Sequence, residues 1–219
     1  DAYNVAIGYD AGTAMTTGLK NTLIGASAGI AMTDSYYNVA VGFESLKTST
    51  GYGYNTAVGY QSLYTLNATG GNGYNVGVGY QAGYGMTSGV QNILIGSATG
   101  DALTSGSYNV AIGHAALSTE DAHGKNVAVG HNSLLVQNAG ADAYNVAVGF
   151  EAGKAVTTGI KNTSIGARTM QATTVGQENV ALGYQAMYTN VDGSKCVAIG
   201  TNALLTQEPA SAVDMYNVA

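Results

Sequence analysis

The chain has 219 residues, of which 32 are glycine and only one each is proline and cysteine, and its 7 basic and 13 acidic residues leave a net charge of −6 at pH 7. The scarcity of proline excludes a collagen helix, the single cysteine excludes a disulfide scaffold, and a hydrophobic share of 46% argues against a disordered chain. No apolar run approaches the ~20 residues that cross a bilayer, so we expect no membrane insertion, and the acidic balance disfavours nucleic acid as a partner.

A five-residue block, first seen as Asn-Val-Ala-Ile-Gly at residues 4–8, recurs through the whole chain. We number the asparagine of each block as position 1 of a repeating unit. The residue number rises by 17 from one block to the next, except that the fourth, eighth and twelfth intervals are 20, 19 and 21. Position 1 is occupied by Asn4, Asn21, Asn38, Asn55, Asn75, Asn92, Asn109, Asn126, Asn145, Asn162, Asn179, Cys196 and Asn217.

Each block predicts one short strand. Positions 2 to 4 are mostly apolar and rich in β-branched residues, as in Val5-Ala6-Ile7, and they lie between two residues that favour turns. The glycine at position 5 is present in all twelve units and ends the strand. A further glycine about ten residues later leaves room for another short strand in most units, and no window has a helical period.

Repeating units of this kind predict an all-β fold, a parallel β-solenoid (β-roll) of about twelve 17-residue coils. A single coil cannot bury its apolar face, but stacked coils form one core. We interpret residues 1–219 as one continuous array of three four-coil super-repeats, at 4–74, 75–144 and 145–216. Because both ends fall at the same phase of the repeat, we expect a fragment of a longer fibre.

In-register stacking predicts a ladder of the position 1 asparagines. Each amide can donate a hydrogen bond to, and accept one from, the like residue in the neighbouring coil. Cys196 interrupts this ladder once.

The three apolar positions of each strand also predict association between chains. Strands of this kind are typically covered on both faces, whereas a thin solenoid covers only its inner face. We therefore expect the small residue at position 3, such as Ala128, to pack against other chains; the alternative is a wider coil that buries both faces within one chain. A homotrimer about the fibre axis is the simplest closed arrangement.

The block and the small residue that follows its glycine by three positions resemble the head repeats of YadA-like trimeric autotransporter adhesins. The segments 75–83 and 92–96 are similar to shaft repeats of bacteriophage tail fibres. The resemblance covers essentially the whole chain. It implies trimeric left-handed β-rolls that serve as shafts or binding heads, although the period here is longer than that of the adhesin head.

Aromatic residues flank the predicted strand on both sides and offer candidate ligand contacts. Tyr9, Tyr60, Tyr80 and Tyr184, at position 6, could cover the core edge or stack on glycans. The longer fourth coils form loops near 67–74, 137–144 and 207–216 that could also bind a ligand. Threonines such as Thr16 and Thr33 recur at position 13 and allow an ice-binding interpretation or a plain hydroxyl ladder.

Patterns that resemble catalytic or metal sites are explained by the repeat. Ser27 lies in a Gly-x-Ser-x-Gly segment, but it occupies the same polar turn position as Glu44 and Glu151. His114 and His131 take the place of the aromatic residue at position 6, and His123 has no partner in register. We therefore expect no enzymatic activity, no cofactor and no metal.

The sequence predicts a structural shaft of an extracellular fibre, on a virion tail or a cell surface, that supports attachment to a host or a surface. The alternative is a glycan-binding adhesin module that uses the aromatic residues and the fourth-coil loops. An ice-binding solenoid is a third interpretation.

Overall fold

A computed structural model describes residues 2–67, 71–207 and 213–219, and these residues contain strands and turns but no helix. The chain divides into two compact units, Asp1–Tyr108 and Asn109–Ala219. Each unit is a parallel β-solenoid of six coils, so the predicted all-β solenoid of about twelve coils is confirmed. The described residues form no helix long and apolar enough to cross a membrane.

The first unit contains eight strands, six of which form its principal sheet in the order β1-β2-β3-β5-β7-β8. The strands are β1 (Val5–Ile7), β2 (Thr22–Ile24), β3 (Val39–Val41), β4 (Tyr52–Gly53), β5 (Thr56–Val58), β6 (Gly71–Asn72), β7 (Val76–Val78) and β8 (Ile93–Ile95).

The second unit repeats this plan, with a principal sheet in the order β9-β10-β11-β12-β13-β15. Its strands are β9 (Val110–Ile112), β10 (Val127–Val129), β11 (Val146–Val148), β12 (Thr163–Ile165), β13 (Val180–Leu182), β14 (Gly193–Ser194), β15 (Val197–Ile199) and β16 (Val213–Asp214).

Neighbouring strands are parallel and pair in the register that the repeat predicts. Ala6 pairs with Leu23, the equivalent residue of the next coil, and Ala57 pairs with its own equivalent, Gly77, across one of the longer coils. The additional residues therefore lie outside the principal sheet, and the strand positions stay aligned. Of the three long loops, those near 67–74 and 207–216 include residues 68–70 and 208–212, outside the described part of the chain.

The far side of each coil consists mainly of turns. Among the described residues, a second strand is present there only as the two-residue pairs β4–β6 and β14–β16 and as one bridge between Leu19 and Tyr36. The other described coils have a single strand, so the prediction of two strands was wrong for them. Positions 7, 9 and 17 hold left-handed backbone, for example Glu44 at φ 54° and Leu46 at φ 47°. These bends turn the chain too sharply for a regular second strand.

The core lies inside the coil, between the strand and the turns that face it. Position 3 of the strand is buried in every coil but the first, as at Ala40 and Ala128, and in the inner coils the position 9 residue is buried as well, as at Leu46 and Leu134. Strand side chains alternate between the two faces of a sheet, so burial of position 3 turns positions 2 and 4 outward.

Candidate functional site: the outer sheet face and its flanking columns

The strands of each unit are held in register by a column of asparagines at position 1. The backbone N–H of Asn21 donates to Oδ1 of Asn4 at 2.8 Å, and its side-chain amide donates to the same oxygen at 3.2 Å. The Asn21 amide also donates to the carbonyl of Ser35, across its own coil, at 2.8 Å. The same three bonds are made by Asn38, Asn75 and Asn92, and Asn55 makes the first two to Asn38. Apart from that of Asn55, each of these amides thus joins two coils and also closes its own.

In the second unit the same column depends on backbone donors. The N–H groups of Asn126, Asn145, Asn162, Asn179 and Cys196 each donate to Oδ1 of the preceding asparagine, Asn109 being the first, at 2.8 to 3.1 Å. Cys196 keeps this bond although it lacks an amide, while its thiol lies 3.4 Å from the carbonyl of Ser194. The strand after it is still paired, because the N–H of Val197 donates to the carbonyl of half-buried Asn217.

The glycine at position 5 is required by the close contact between coils. Gly130 has φ +137°, and a Cβ placed on it would overlap the carbonyl oxygen of Gly149 in the next coil. Any side chain here would both strain the backbone and collide with main-chain atoms. The glycines at position 5 therefore allow neighbouring coils to contact each other through their main chains. The residue that directly follows each glycine is position 6.

The strands present an exposed apolar surface, which we call the outer face of each unit. It consists of the side chains at positions 2 and 4, which are Val, Ile, Leu or Thr in every coil. In the inner coils these side chains are half-exposed, as Ile112 is at 36% and Leu182 at 44%, and exposure rises to 58% at Ile7 and 59% at Ile199 in the first and last coils. The expectation that position 3 faces other chains was wrong: Ala128 is fully buried, and its small size fits the narrow interior opposite Leu134.

Stacked rings at position 6 run along one side of the outer face. Tyr60 stacks on Phe43 at 5.5 Å between ring centroids and on Tyr80 at 5.3 Å, so both of its ring faces are covered. His114, His131 and Phe150 continue this pattern in the second unit, with centroids 5.1 and 5.4 Å apart. Rings stacked on each other present their edges outward.

Tyr9 and Tyr184 differ from the other two candidate glycan contacts in their neighbours. The next coil has Ala26 at the position of Tyr9, and Tyr184 lies between coils that have Ala167 and Thr201 there. Tyr9 is 78% exposed and Tyr184 47%. Among the four predicted contacts, these two stack on no described ring, whereas Tyr80 has Tyr60 on one side and Ser97 on the other.

The other side of the outer face is lined by the last residue of each coil, which is position 17 in coils of ordinary length and is most often tyrosine or lysine. Tyr54 stacks on Tyr37 at 4.9 Å and on Tyr74 at 5.1 Å. Where lysine takes this position, its ammonium group reaches the equivalent residue of the next coil: Lys20 Nζ donates to the hydroxyl of Tyr37 at 2.8 Å, and Lys161 Nζ donates to Glu178 at 3.3 Å. Lys125 donates both to Asp142 at 2.6 Å and to Tyr144 at 3.0 Å.

The residues that resemble catalytic groups form surface ion pairs and turns. Glu44 accepts from Lys47 at 2.6 Å and from Gln61 at 2.8 Å, and the Lys47 ammonium holds the pKa of this carboxyl below its usual value. Glu151 is paired with Lys154 in the same way. Ser27 occupies a left-handed turn at φ 56°. The hydroxyls of Thr16 and Thr33 donate to main-chain carbonyls of the next coil.

Sequence reasoning missed one cluster, on the far side of the second unit. The backbone N–H of His123 donates to Oε1 of Glu120 at 3.2 Å, and its ring Nδ1 lies 3.6 Å from the same oxygen. His123 therefore has a partner within its own coil, although the equivalent positions of the neighbouring coils supply none. A comparison of residues three apart, rather than of equivalent positions in different coils, would have found the pair.

Comparison with known proteins gave no relatives: no family model, curated protein or solved structure matches this chain. The described part of the chain contains no pocket.

Proposed function

We propose that the chain is a structural segment of an extracellular fibre in which copies of the solenoid pack through their outer faces as a homotrimer. The observation that carries this proposal is the pair of exposed apolar columns at positions 2 and 4 of each unit. Large contiguous apolar surfaces of this kind typically mark protein interfaces.

A second copy of the chain fits the outer face better than an unrelated partner does. The relief of the face repeats once per strand, with adjacent parallel strands about 4.8 Å apart. A partner that matches such a surface along its length needs the same period, and another copy has it by construction. The absence of charged side chains at positions 2 and 4 allows like faces to meet without electrostatic cost.

Three copies around one axis are favoured by the resemblance of the repeat to those of trimeric adhesins and tail fibres. In this arrangement every copy covers its outer face and no apolar face is left to recruit further chains. The super-repeats 4–74, 75–144 and 145–216 would then place one longer loop per four coils along the fibre. The work of such a segment is mechanical, and its location is a virion tail fibre or a cell surface.

Multi-angle light scattering tests the assembly directly. We expect a particle of three times the 22.1 kDa chain mass. Val148→Glu combined with Ile165→Glu places two charges on the outer face and should give monomers that retain the β circular-dichroism spectrum. The matched control, Thr158→Glu, lies exposed on the far side and should remain trimeric. A monomeric native chain at high micromolar concentration would contradict the proposal.

Glycan binding is the second candidate function, because Tyr9 and Tyr184 have small residues beside their rings in the neighbouring coils. A glycan array probed with the native chain should then give signals that Tyr184→Ala weakens and Tyr144→Ala does not. Ice binding would show itself as thermal hysteresis. If the array shows no glycan binding and no thermal hysteresis is measured, the structural role is the function that remains.

A further inference from the structure

Three side chains that can ligate a metal converge on the turn between β9 and β10. They are the carboxylates of Glu120 and Asp121 and the imidazole of His123, and one ligand atom of each lies within 4.8 Å of the others. The turn belongs to a single coil of the second unit, on the side opposite the outer face. The cluster is therefore independent of the proposed assembly surface.

Glu120 stands at a position that other coils fill with uncharged residues, either apolar or polar, as Gln137 and Asn190 are in the second unit. Position 12 is Met15, Met32 and Leu66 in three coils of the first unit, whereas here it is a carboxylate with no exposed surface. Burial raises the pKa of Glu120. An ionisable group is rarely retained at a fully buried position without a partner that repays its desolvation.

The polar atoms of this buried cluster are incompletely satisfied. Oε2 of Glu120 has no hydrogen-bond partner, and neither does Nδ1 of His123, which is also buried. The nearest lysine in sequence, Lys125, is already engaged by Asp142 at 2.6 Å. A buried carboxylate oxygen and a buried imidazole nitrogen thus converge, and no lysine or arginine of the described chain is paired with the carboxylate.

We propose that this cluster is a binding site for a divalent transition-metal ion of the Zn²⁺ class, ligated by Glu120, Asp121 and His123. The ion would accept lone pairs from Oε2 of Glu120, a carboxylate oxygen of Asp121 and Nδ1 of His123. One nitrogen and two carboxylate ligands suit Zn²⁺, whose bonds to such atoms are about 2.0–2.2 Å long. Mg²⁺ and Ca²⁺ prefer oxygen ligands alone.

Binding requires only a small local adjustment. Ligand atoms around a tetrahedral ion lie closer together than 4.8 Å, so the site has to contract. Asp121 is exposed and His123 partly so, and both can turn toward the buried Glu120. The bound ion would neutralise the buried carboxylate and fix the turn that leads into β10.

Calorimetric titration with zinc chloride tests the site, on untagged protein stripped of metal with a chelator. We expect one ion per chain and a rise in melting midpoint of about 5 °C at saturation. Magnesium chloride should produce neither effect. Glu120→Gln and His123→Gln should each weaken Zn²⁺ binding by about tenfold or more.

Two further variants keep the test decisive. Glu120→Met restores the residue type found at this position in other coils, so it should fold and bind no Zn²⁺ at the site. His114→Ala with His131→Ala removes the stacked histidines on the other side of the coil and should leave Zn²⁺ affinity unchanged. Absence of Zn²⁺ binding, affinity that survives Glu120→Gln and His123→Gln, or affinity lost only with His114 and His131 would each overturn the proposal.

Discussion

At the scale of single residues, the repeat is enforced by backbone geometry as much as by side chains. Position 5 allows only glycine because the carbonyl of the next coil lies where a Cβ would be. Position 1 is asparagine because one side chain must accept a neighbour's N–H and donate across its own coil. The amino-acid composition shows an excess of glycine, but it does not explain why glycine is required at position 5 or asparagine at position 1.

Gly130→Ala tests the close contact between coils. We expect a loss of about 2–6 kcal/mol in unfolding free energy, because the strained φ and the overlap with Gly149 each cost about 1–3 kcal/mol. Gly140→Ala is the control: its φ is also positive, but a Cβ there meets nothing within 4 Å. Denaturant unfolding that gives equal losses for the two variants would refute the explanation.

Asn38→Leu tests the asparagine column. The substitution leaves the N–H of Asn55 and the carbonyl of Tyr52 without their partner, so we expect a loss of about 2–4 kcal/mol from unsatisfied buried groups. Asn138→Leu changes the same residue type outside the column and should cost far less. Thermal melting of the two variants compares them, and similar midpoints would contradict a structural role for the column.

The pH dependence of stability should distinguish two carboxyls of opposite environment. Burial raises the pKa of Glu120, so its ionisation opposes folding above the ordinary pKa of 4.5. In metal-free protein, Glu120→Gln should raise the melting midpoint at pH 7, with the gain vanishing below pH 4.5.

Asp142→Asn is the opposite case. Its hydrogen bond with Lys125 lowers the pKa of Asp142, so the native pair stabilises the fold above the ordinary value of 3.8 and loses this effect as pH falls below it. The variant should therefore melt lower than the native chain at pH 7. Shifts of the same sign for Asp142→Asn and Glu120→Gln would contradict the assignment.

At the scale of the coil, the residues at positions 3 and 9 share one interior volume. Where the strand carries Leu23, position 9 is Gly29, and a Cβ on that glycine would lie 3.0 Å from Cδ2 of Leu23. Where the strand carries Ala40, position 9 is Leu46. A large residue on one side thus requires a small one on the other, because interiors pack at nearly constant density.

A double-mutant cycle measures this exchange of volume. Leu23→Ala alone should cost about 3 kcal/mol through the cavity it leaves. Gly29→Met alone should also destabilise, since the space is filled by Leu23. The two together should recover part of the loss, and Met170 shows that methionine accepts the left-handed backbone of position 9. Strictly additive losses in urea unfolding would refute the shared volume.

The properties of the coil that depend on repeat spacing could be predicted from the sequence, whereas the orientation of its side chains could not. The period, the strand and its parallel register followed from spacing alone, because identical positions must align in a stack. Which side chains of the strand face the interior could not be predicted, because Val127, Ala128 and Val129 are all apolar. Only the structure shows that the alanine points inward and the valines outward. His123 and Glu120 were missed because their contact lies within one coil.

At the scale of the whole molecule, charge and apolar surface act in opposite directions on association. The net charge of −6 makes like chains repel, whereas the outer face of each unit favours their contact. This net charge already counts the seven basic residues, several of which form local ion pairs, as Lys47 does with Glu44 and Lys161 with Glu178.

Salt should therefore strengthen self-association. Raising sodium chloride from about 0.02 to 0.5 M shortens the screening length from roughly 20 Å to about 4 Å and weakens the repulsion between copies. Sedimentation velocity at fixed protein concentration should show a larger associated fraction at high salt. A fraction that falls instead would mean that charged contacts, rather than the outer face, hold the chains together.

The strict register of the repeat has a consequence for how such a chain changes length. Recombination between two blocks of identical phase inserts or deletes complete coils, and every new junction still places glycine over glycine and asparagine over asparagine. A one-residue insertion in a strand would instead turn its alanine to solvent and its valines into the narrow interior. Gene duplication can therefore lengthen or shorten the solenoid in whole modules, while small frame-preserving insertions are confined to the far-side turns.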